Sequence, residues 1–204
     1  MGFKIAVVGA TGNVGREMMN VLIERRFPVS EVHALASRRS VGTEVSFGDK
    51  TIKCQDLETF DFSKVDICLM SAGSSVAKEW APRIGAKGCV VIDNSSCWRY
   101  DQDVPLIVPE VNGDALSGFT KKNIIANPNC ATITALGPLW PIHQQNRIKR
   151  VILATYQAAS GAGAAAMEEL TESTRAHLNG EAYAPKVLPH PYAFNLFSHN
   201  TAID

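Results

Sequence analysis

Residues 3–22 constrain the fold more tightly than any other stretch. Phe3-Lys-Ile-Ala-Val-Val8 is a short apolar run with β-branched members, it meets Gly9-Ala-Thr-Gly-Asn-Val-Gly15, and a helical spacing follows at Val14, Met18, Val21 and Leu22. The order is strand, glycine turn, helix. In such a unit the first glycine, Gly9, permits a tight turn, and the middle one, Gly12, lets a pyrophosphate approach the backbone. The last, Gly15, allows close packing of the helix, whose N-terminus faces the phosphates. The spacing is Gly-x-x-Gly-x-x-Gly instead of the commoner Gly-x-Gly-x-x-Gly. A βα turn that holds no phosphate is the competing reading; a strand before and a helix after favour dinucleotide binding.

The rest of the first half repeats the alternation. Val32-His-Ala-Leu-Ala36 reads as the second strand, Val65-Asp-Ile-Cys-Leu-Met70 as another with a helix from near Val76, and Cys89-Val-Val-Ile92 as a further one. Short apolar strands alternating with helices imply an α/β fold, a Rossmann-type doubly wound parallel sheet, whose ligands bind beyond the carboxyl ends of the strands. The turns at 9–15, 37–40, 71–75 and 94–96 would share that edge. The second strand should end at the adenosine ribose, where an NAD site carries Asp or Glu. Here stands Ser37-Arg-Arg-Ser40, and an arginine at that point favours a 2′-phosphate, making NADP the expected cofactor. The change of pattern near residue 127 places a dinucleotide-binding domain at 1–127 and a second domain at 128–204.

Composition removes several function classes. With 20 basic and 20 acidic residues the chain has no net charge, so neither nucleic acid nor an acidic membrane surface is an expected partner. Ile5-Ala-Val-Val8 is too short for a signal-peptide core and no apolar run approaches the length of a membrane span, which points to a cytoplasmic protein. The five cysteines, Cys54, Cys68, Cys89, Cys97 and Cys130, are odd in number and contain no Cys-x-x-Cys pair, so neither a disulfide framework nor a metal site is indicated.

Cys130 stands apart. Ile124-Ile-Ala126 can end a strand, Pro128 breaks it, and Ala131-Thr-Ile-Thr-Ala-Leu136 can start a helix, which places Cys130 at a helix N-terminus. The helix dipole and open N–H groups there favour thiolate over thiol, and with the Asn129 side chain they can hold the oxyanion formed when the thiolate attacks a carbonyl. Beside a nicotinamide cofactor, such a cysteine suggests thiohemiacetal formation, hydride transfer and a thioester.

At this point the chain resembles the aspartate-β-semialdehyde dehydrogenases. The resemblance rests on GATGNVG at 9, RS at 39, DNSS at 93 with Arg99 just after it, PLIVPEVN at 105, NPNCAT at 127, YQAASGAG at 156 and AFNLFSHN at 193. Neither the Asn-Pro-Gly-Cys-Tyr-Pro of N-acetylglutamyl-phosphate reductases nor the Ser-Cys-Thr-Thr-Asn of glyceraldehyde-3-phosphate dehydrogenases is present. The resemblance implies that Cys130 is the acyl-thioester nucleophile, that Gln157 positions the substrate, and that Arg99 binds the phosphate or acyl phosphate. Asn129 would lie beside the reacting carbonyl, and Thr11, Gly12, Asn13, Val14, Arg39, Ser40, Ser160 and Gly161 would contact NADP. It further implies reduction of aspartyl-4-phosphate to the semialdehyde, towards lysine, methionine and threonine, by a homodimer or higher homo-oligomer. A non-catalytic nucleotide-binding remnant is the rival of another class.

Several nearby features have simpler readings. Arg99 could stack between Trp98 and Tyr100, Gln157 could merely end a strand Val151-Ile-Leu-Ala-Thr-Tyr156, and Gly161 and Gly163 could serve as a turn before a helix around Met167 and Leu170. Cys97, Trp98 and Tyr100 depart from the pattern the family commonly shows beside the arginine, and Arg38 replaces a frequent serine, where it could add affinity for the 2′-phosphate. His33, His143, His177, His190 and His199 match no catalytic motif of the family. Its members run well over 300 residues, with a general acid/base histidine and further substrate ligands after the position of Asp204. The second, α+β catalytic and dimerisation domain is therefore expected to be incomplete here, with Val151-Ile-Leu153 uncovered.

Overall fold

The computed structural model describes residues 2–198, so His199 and the end of the run beginning at Ala193 lie outside the described residues. The chain packs as two compact units, Met1–Leu153 and Ala154–Asp204. In the first, β1 (Phe3–Val8), α1 (Asn13–Glu24) and β2 (Val29–Ala36) are followed by a hairpin of β3 (Glu44–Phe47) and β4 (Lys50–Lys53). Then come β5 (Gln55–Asp56), β6 (Ile67–Met70), α2 (Ser74–Gly85), β7 (Val90–Asp93), α3 (Pro109–Asn112), β8 (Ile124–Ala126) and α4 (Cys130–Gln145).

Six strands form one sheet in the order β5-β2-β1-β6-β7-β8, parallel throughout, with the β3–β4 hairpin separate and antiparallel. The chain thus winds from β1 outward in both directions, as expected for a doubly wound sheet, and the reversal falls between β1 and β6. Central β1 explains its own composition: covered on both faces, it buries Ile5, Ala6, Val7 and Val8 almost completely, which an alternating sequence would not tolerate. On one face Leu35, Met70, Val91 and Ile124 pack with Ala77, Trp80, Ala81 and Ile84, all four on the α2 surface at helical spacing. On the other, Ile5, Val7 and Ala34 meet Met19 of α1 and Val45 of the hairpin.

The second unit contains a short 3-10 turn at Ala159–Ala162 and α5 (Ala164–Leu178). Buried Glu169 of α5 ties this unit together by accepting backbone N–H bonds from Lys186, Val187 and Leu188, at 2.7 Å from Val187 and 2.9 Å from Leu188. Burial pushes its carboxyl up, but the three N–H donors and Lys186 outweigh this and hold it below its ordinary range.

One expected element does not form. Val151–Tyr156 is not a strand, and Ile152, Leu153 and Tyr156 stay 79%, 63% and 83% exposed. A strand needs a neighbour to pair its N–H and C=O groups, and no strand among the described residues lies beside this run.

Candidate active site

Because the six strands are parallel, the turns after β1, β2, β6, β7 and β8 emerge along one edge. Gly9 lies at the reversal point: its N–H bonds the Leu35 carbonyl at 3.0 Å, its φ is +86°, and a Cβ there would sit 2.3 Å from the Ser71 carbonyl oxygen. Both the left-handed conformation and the close approach require glycine. A Cβ on Gly15 would lie 2.3 Å from the Gly9 carbonyl oxygen, so this residue lets α1 close onto the turn. Gly12 is the N-cap of α1, no side chain caps that helix end, and its first turn carries no acidic residue. Thr11 to Val14 lie at the surface around this end. The positive end of the dipole is thereby left to an anion, and the glycine cradle fits a pyrophosphate.

After β2, residues 38–40 make a short 3-10 turn. The two arginines part company. Arg38 pairs with Glu58 at 2.6 Å and with Asp56 at 3.4 Å, so its guanidinium is committed to two carboxylates instead of standing open for a phosphate. Arg39 is exposed and has no ion-pair partner among the described residues, and Ser40 closes the turn by donating its N–H to Ser37.

The cysteine turn follows β8. Asn127 donates its N–H to the Asp93 carbonyl at 2.9 Å, Pro128 is buried, and Asn129 caps α4 by accepting the Ala131 N–H at 2.9 Å on Oδ1. Cys130 is the first residue of the helix and is exposed. The Thr134 hydroxyl bonds its carbonyl at 2.9 Å, where Pro138 has no N–H to offer the Thr134 carbonyl one turn on. With Oδ1 used by the cap, the amide Nδ2 is the remaining polar group of the Asn129 side chain. Burial pushes the other four thiols up: Cys54, Cys97, Cys68 strongly, and Cys89 to about 12.

Arg99 is not stacked between aromatics. Its Nε donates to the Asn127 carbonyl at 2.9 Å and its terminal nitrogen to Asn94 at 3.4 Å, so the guanidinium joins the ends of β7 and β8 three residues before Cys130. Tyr100 projects into solvent, while the Trp98 indole N–H bonds the Ala77 carbonyl and its ring faces Lys122. Beneath the arginine lies a residue to which the sequence alone assigned no role. Asp93 is fully buried; its Oδ2 accepts the Ser95 hydroxyl at 2.6 Å, and Ser95 Oγ in turn accepts the Cys97 N–H at 3.1 Å. Its Oδ1 has no hydrogen-bond partner among the described residues. Burial raises the carboxyl, opposed by Ser95 and by the Arg99 charge. The only sequence signal was position, an acidic residue closing an otherwise apolar strand.

In the second unit Gln157, Ser160 and Gly161 are all exposed. The Tyr192 hydroxyl holds the Gln157 carbonyl at 2.6 Å, leaving the side-chain amide outward, and the turn of Ser160 and Gly161 leads through Gly163 into α5.

A cavity of about 570 Å³ lies elsewhere. It opens at the amino ends of the strands, against Phe3, Asp66, Val90 and Phe119, and no cysteine lines it. Ligands of open parallel sheets bind at the opposite edge, where the predicted residues of the first unit gather, so chemistry outweighs volume here. Among the described residues no helix is long and apolar enough to cross a membrane.

This layout has known counterparts. An aspartate-semialdehyde dehydrogenase of Rickettsia conorii is 50% identical over 197 residues, which cover 97% of this chain and 58% of that protein. The crystal structure of aspartate semialdehyde dehydrogenase II from Vibrio cholerae complexed with ASA matches with a TM-score of 0.91 at 47% identity, over 96% of this chain and 58% of the other. The structure of the Candida albicans enzyme with NADP matches at 0.61 and 25% identity, over 72% and 48%. The chain thus spans about 58% of the length of the Rickettsia relative. The family model for the semialdehyde dehydrogenase NAD binding domain matches residues 4–119, and that for the dimerisation domain matches 139–204. The first contains the glycine cradle and Arg99, and Cys130 falls between the two. By that ordered match, which takes in more than half of its residues, the chain belongs to the semialdehyde dehydrogenase family.

Proposed function

We propose that the protein is an NADP-dependent aspartate-semialdehyde dehydrogenase, reducing aspartyl-4-phosphate to aspartate-4-semialdehyde and phosphate through a thioester on Cys130. The observation that carries this reading is Cys130 itself: an exposed thiol on the first residue of a helix, with the Arg99 guanidinium pinned to a carbonyl three residues upstream.

The cofactor reading is supported by the cradle at Gly9 and Gly15, the uncapped start of α1, and the exposed Arg39, which has no ion-pair partner among the described residues, beside Ser40. Gly9, Thr11, Gly12, Asn13 and Val14 would hold the pyrophosphate end, Arg39 and Ser40 the 2′-phosphate, and Ser160 and Gly161 complete the cofactor contacts. The Candida relative, which binds NADP, agrees with this choice. When bound, NADPH supplies the hydride that reduces the thioester carbon.

The chain's own residues do the rest. The Cys130 thiolate attacks the acyl carbon, and the bond from that carbon to the phosphate oxygen breaks, so that phosphate leaves with the electron pair. Arg99 stabilises the phosphate charge by charge-assisted hydrogen bonds. The N–H groups opening α4 and the Asn129 amide hold the oxyanion, and Gln157 orients the substrate. After reduction the carbon–sulfur bond breaks, freeing the aldehyde and restoring the thiolate. The same reading assigns the protein to the cytoplasm, to biosynthesis of lysine and diaminopimelate, methionine and threonine, and to a homodimer. It keeps a domain division at 127/128, in the interval between the two family matches.

The test is a fluorescence titration of the chain with NADPH and NADH, joined to a phosphate-dependent NADP reduction assay on a form extended to the length of its relatives. NADPH should bind roughly tenfold tighter or more, the difference expected for a paired arginine–phosphate contact, and Arg39→Asp should reverse the preference. Equal affinities in the parent would defeat the cofactor reading, and an extended form inactive on aspartate semialdehyde would defeat the substrate reading.

A further inference from the structure

We propose that Arg38 determines cofactor specificity without touching the cofactor's phosphate, by neutralising Asp56 and Glu58. The inference rests on the reading of residues 37–40 as the NADP-discriminating turn.

The sheet brings these groups together. β5 pairs alongside β2 with Ala36 opposite Asp56, so this carboxylate stands level with the last residue of β2, where the adenosine ribose is expected. Leu57 continues the pairing by donating its N–H to the Ala36 carbonyl at 3.1 Å, and the Glu58 N–H bonds Asp56 Oδ1 at 3.0 Å, which fixes the second carboxylate beside the first. An acidic residue near this point is what a dinucleotide site uses to prefer NAD. This fold carries two, delivered from a neighbouring strand. Arg38 engages both, Nε with Asp56 Oδ2 at 3.4 Å and a terminal nitrogen with Glu58 Oε2 at 2.6 Å. Arg38 and Arg39 against Asp56 and Glu58 sum to zero charge, and removal of Arg38 leaves the group at −1 beside a phosphate dianion. Adjacent arginines therefore have different tasks: Arg39 is left to meet the phosphate, and Arg38 removes the repulsion that would oppose it.

With its side chain 73% exposed, Arg38 acts through solvent, so the effect should be moderate and sensitive to salt. The experiment is a mutant cycle read by equilibrium binding: parent, Arg38→Ser, Asp56→Asn with Glu58→Gln, and all three changes together, each titrated with NADPH and NADH. Asp56→Asn retains an Oδ1 acceptor for the Glu58 N–H, and circular dichroism checks each fold. Arg38→Ser should weaken NADPH binding roughly 5- to 10-fold at low salt, with a smaller loss at about 0.5 M salt and less than about twofold for NADH. With Asp56 and Glu58 already neutral, the same change should have no effect beyond about twofold. A loss that persists in the neutralised background means that Arg38 binds the phosphate directly and overturns the proposal, as does an Arg38→Ser variant with parental affinities. A parent indifferent to the 2′-phosphate would instead overturn the NADP reading beneath it, which separates the two failures.

Discussion

The turn after β1 and the turn after β8 solve the same problem in opposite ways. Each carries the chain from the carboxyl end of a parallel strand into the N-terminus of a helix, on the same edge of one sheet. The first is built of backbone: Gly9 and Gly15 leave no room for a Cβ, and Gly12 leaves the start of α1 without a side-chain cap. The second is built of side chains: Asn129 caps α4, Pro128 is buried beneath, and Cys130 projects from the first turn. A helix end left uncapped recruits an anion from outside. One satisfied by its own asparagine is free to carry a nucleophile. The chemistry of a strand–turn–helix unit thus depends on which group meets the helix N–H donors.

Three changes would break or sharpen this contrast. The largest effect belongs to Cys130→Ser, which should lower turnover by a form extended to the relatives' length by on the order of 10⁴- to 10⁶-fold while leaving NADPH titration unchanged. In the parent, peptide mapping after limited iodoacetamide should find Cys130 before the four more buried thiols; Cys54 or Cys89 reacting first would contradict the assignment, and Cys97 reacting first would point to an altered pocket. Next comes Gly9→Ala, which meets both a positive φ and a carbonyl oxygen at 2.3 Å and should destabilise the fold by about 3 kcal/mol or more, seen as a lower urea midpoint. Gly12→Ala, whose nearest contact is 3.3 Å, is the control and should change stability by about 1 kcal/mol or less. A Gly9→Ala protein as stable as its Gly12→Ala counterpart would remove the steric case for the cradle. The smallest change is Asn129→Ala, expected to lose about 1 kcal/mol with the cap and to slow alkylation of Cys130, without altering cofactor affinity. Faster alkylation would show that the cap shields the thiol instead of positioning it.

How much of this was legible in the sequence depended on how local the cause was. The glycine turn was readable because steric exclusion leaves a glycine signature, and the cysteine turn because Pro128 and Asn129 mark a strand end and a helix start within three residues. Strands came out within about three residues of their observed bounds: Val32–Ala36 begins at Val29, and Cys89–Ile92 is Val90–Asp93. The β3–β4 hairpin escaped notice because only Val45 in it is buried, so hydrophobic spacing gave little signal. The ion pairs of Arg38 were illegible for a different reason. Its partners lie 18 and 20 residues downstream and reach it only because β5 pairs beside β2. The run Val151–Tyr156 shows the converse error, since a β-rich composition states a preference that only a pairing neighbour can realise.

The position of β1 in the sheet also sets an order of assembly during synthesis. β1 is translated first yet lies in the middle, between β2 and β6. Its bond to β2 becomes available once residue 36 has left the ribosome, but its other edge stays open until β6, residues 67–70, follows. The Ser71 carbonyl that presses against Gly9 emerges only then. A nascent chain shorter than this would carry the glycine motif in full and still lack one wall of the cradle, so its capacity to hold a nucleotide should appear as a step once β6 has followed and not grow with the motif itself.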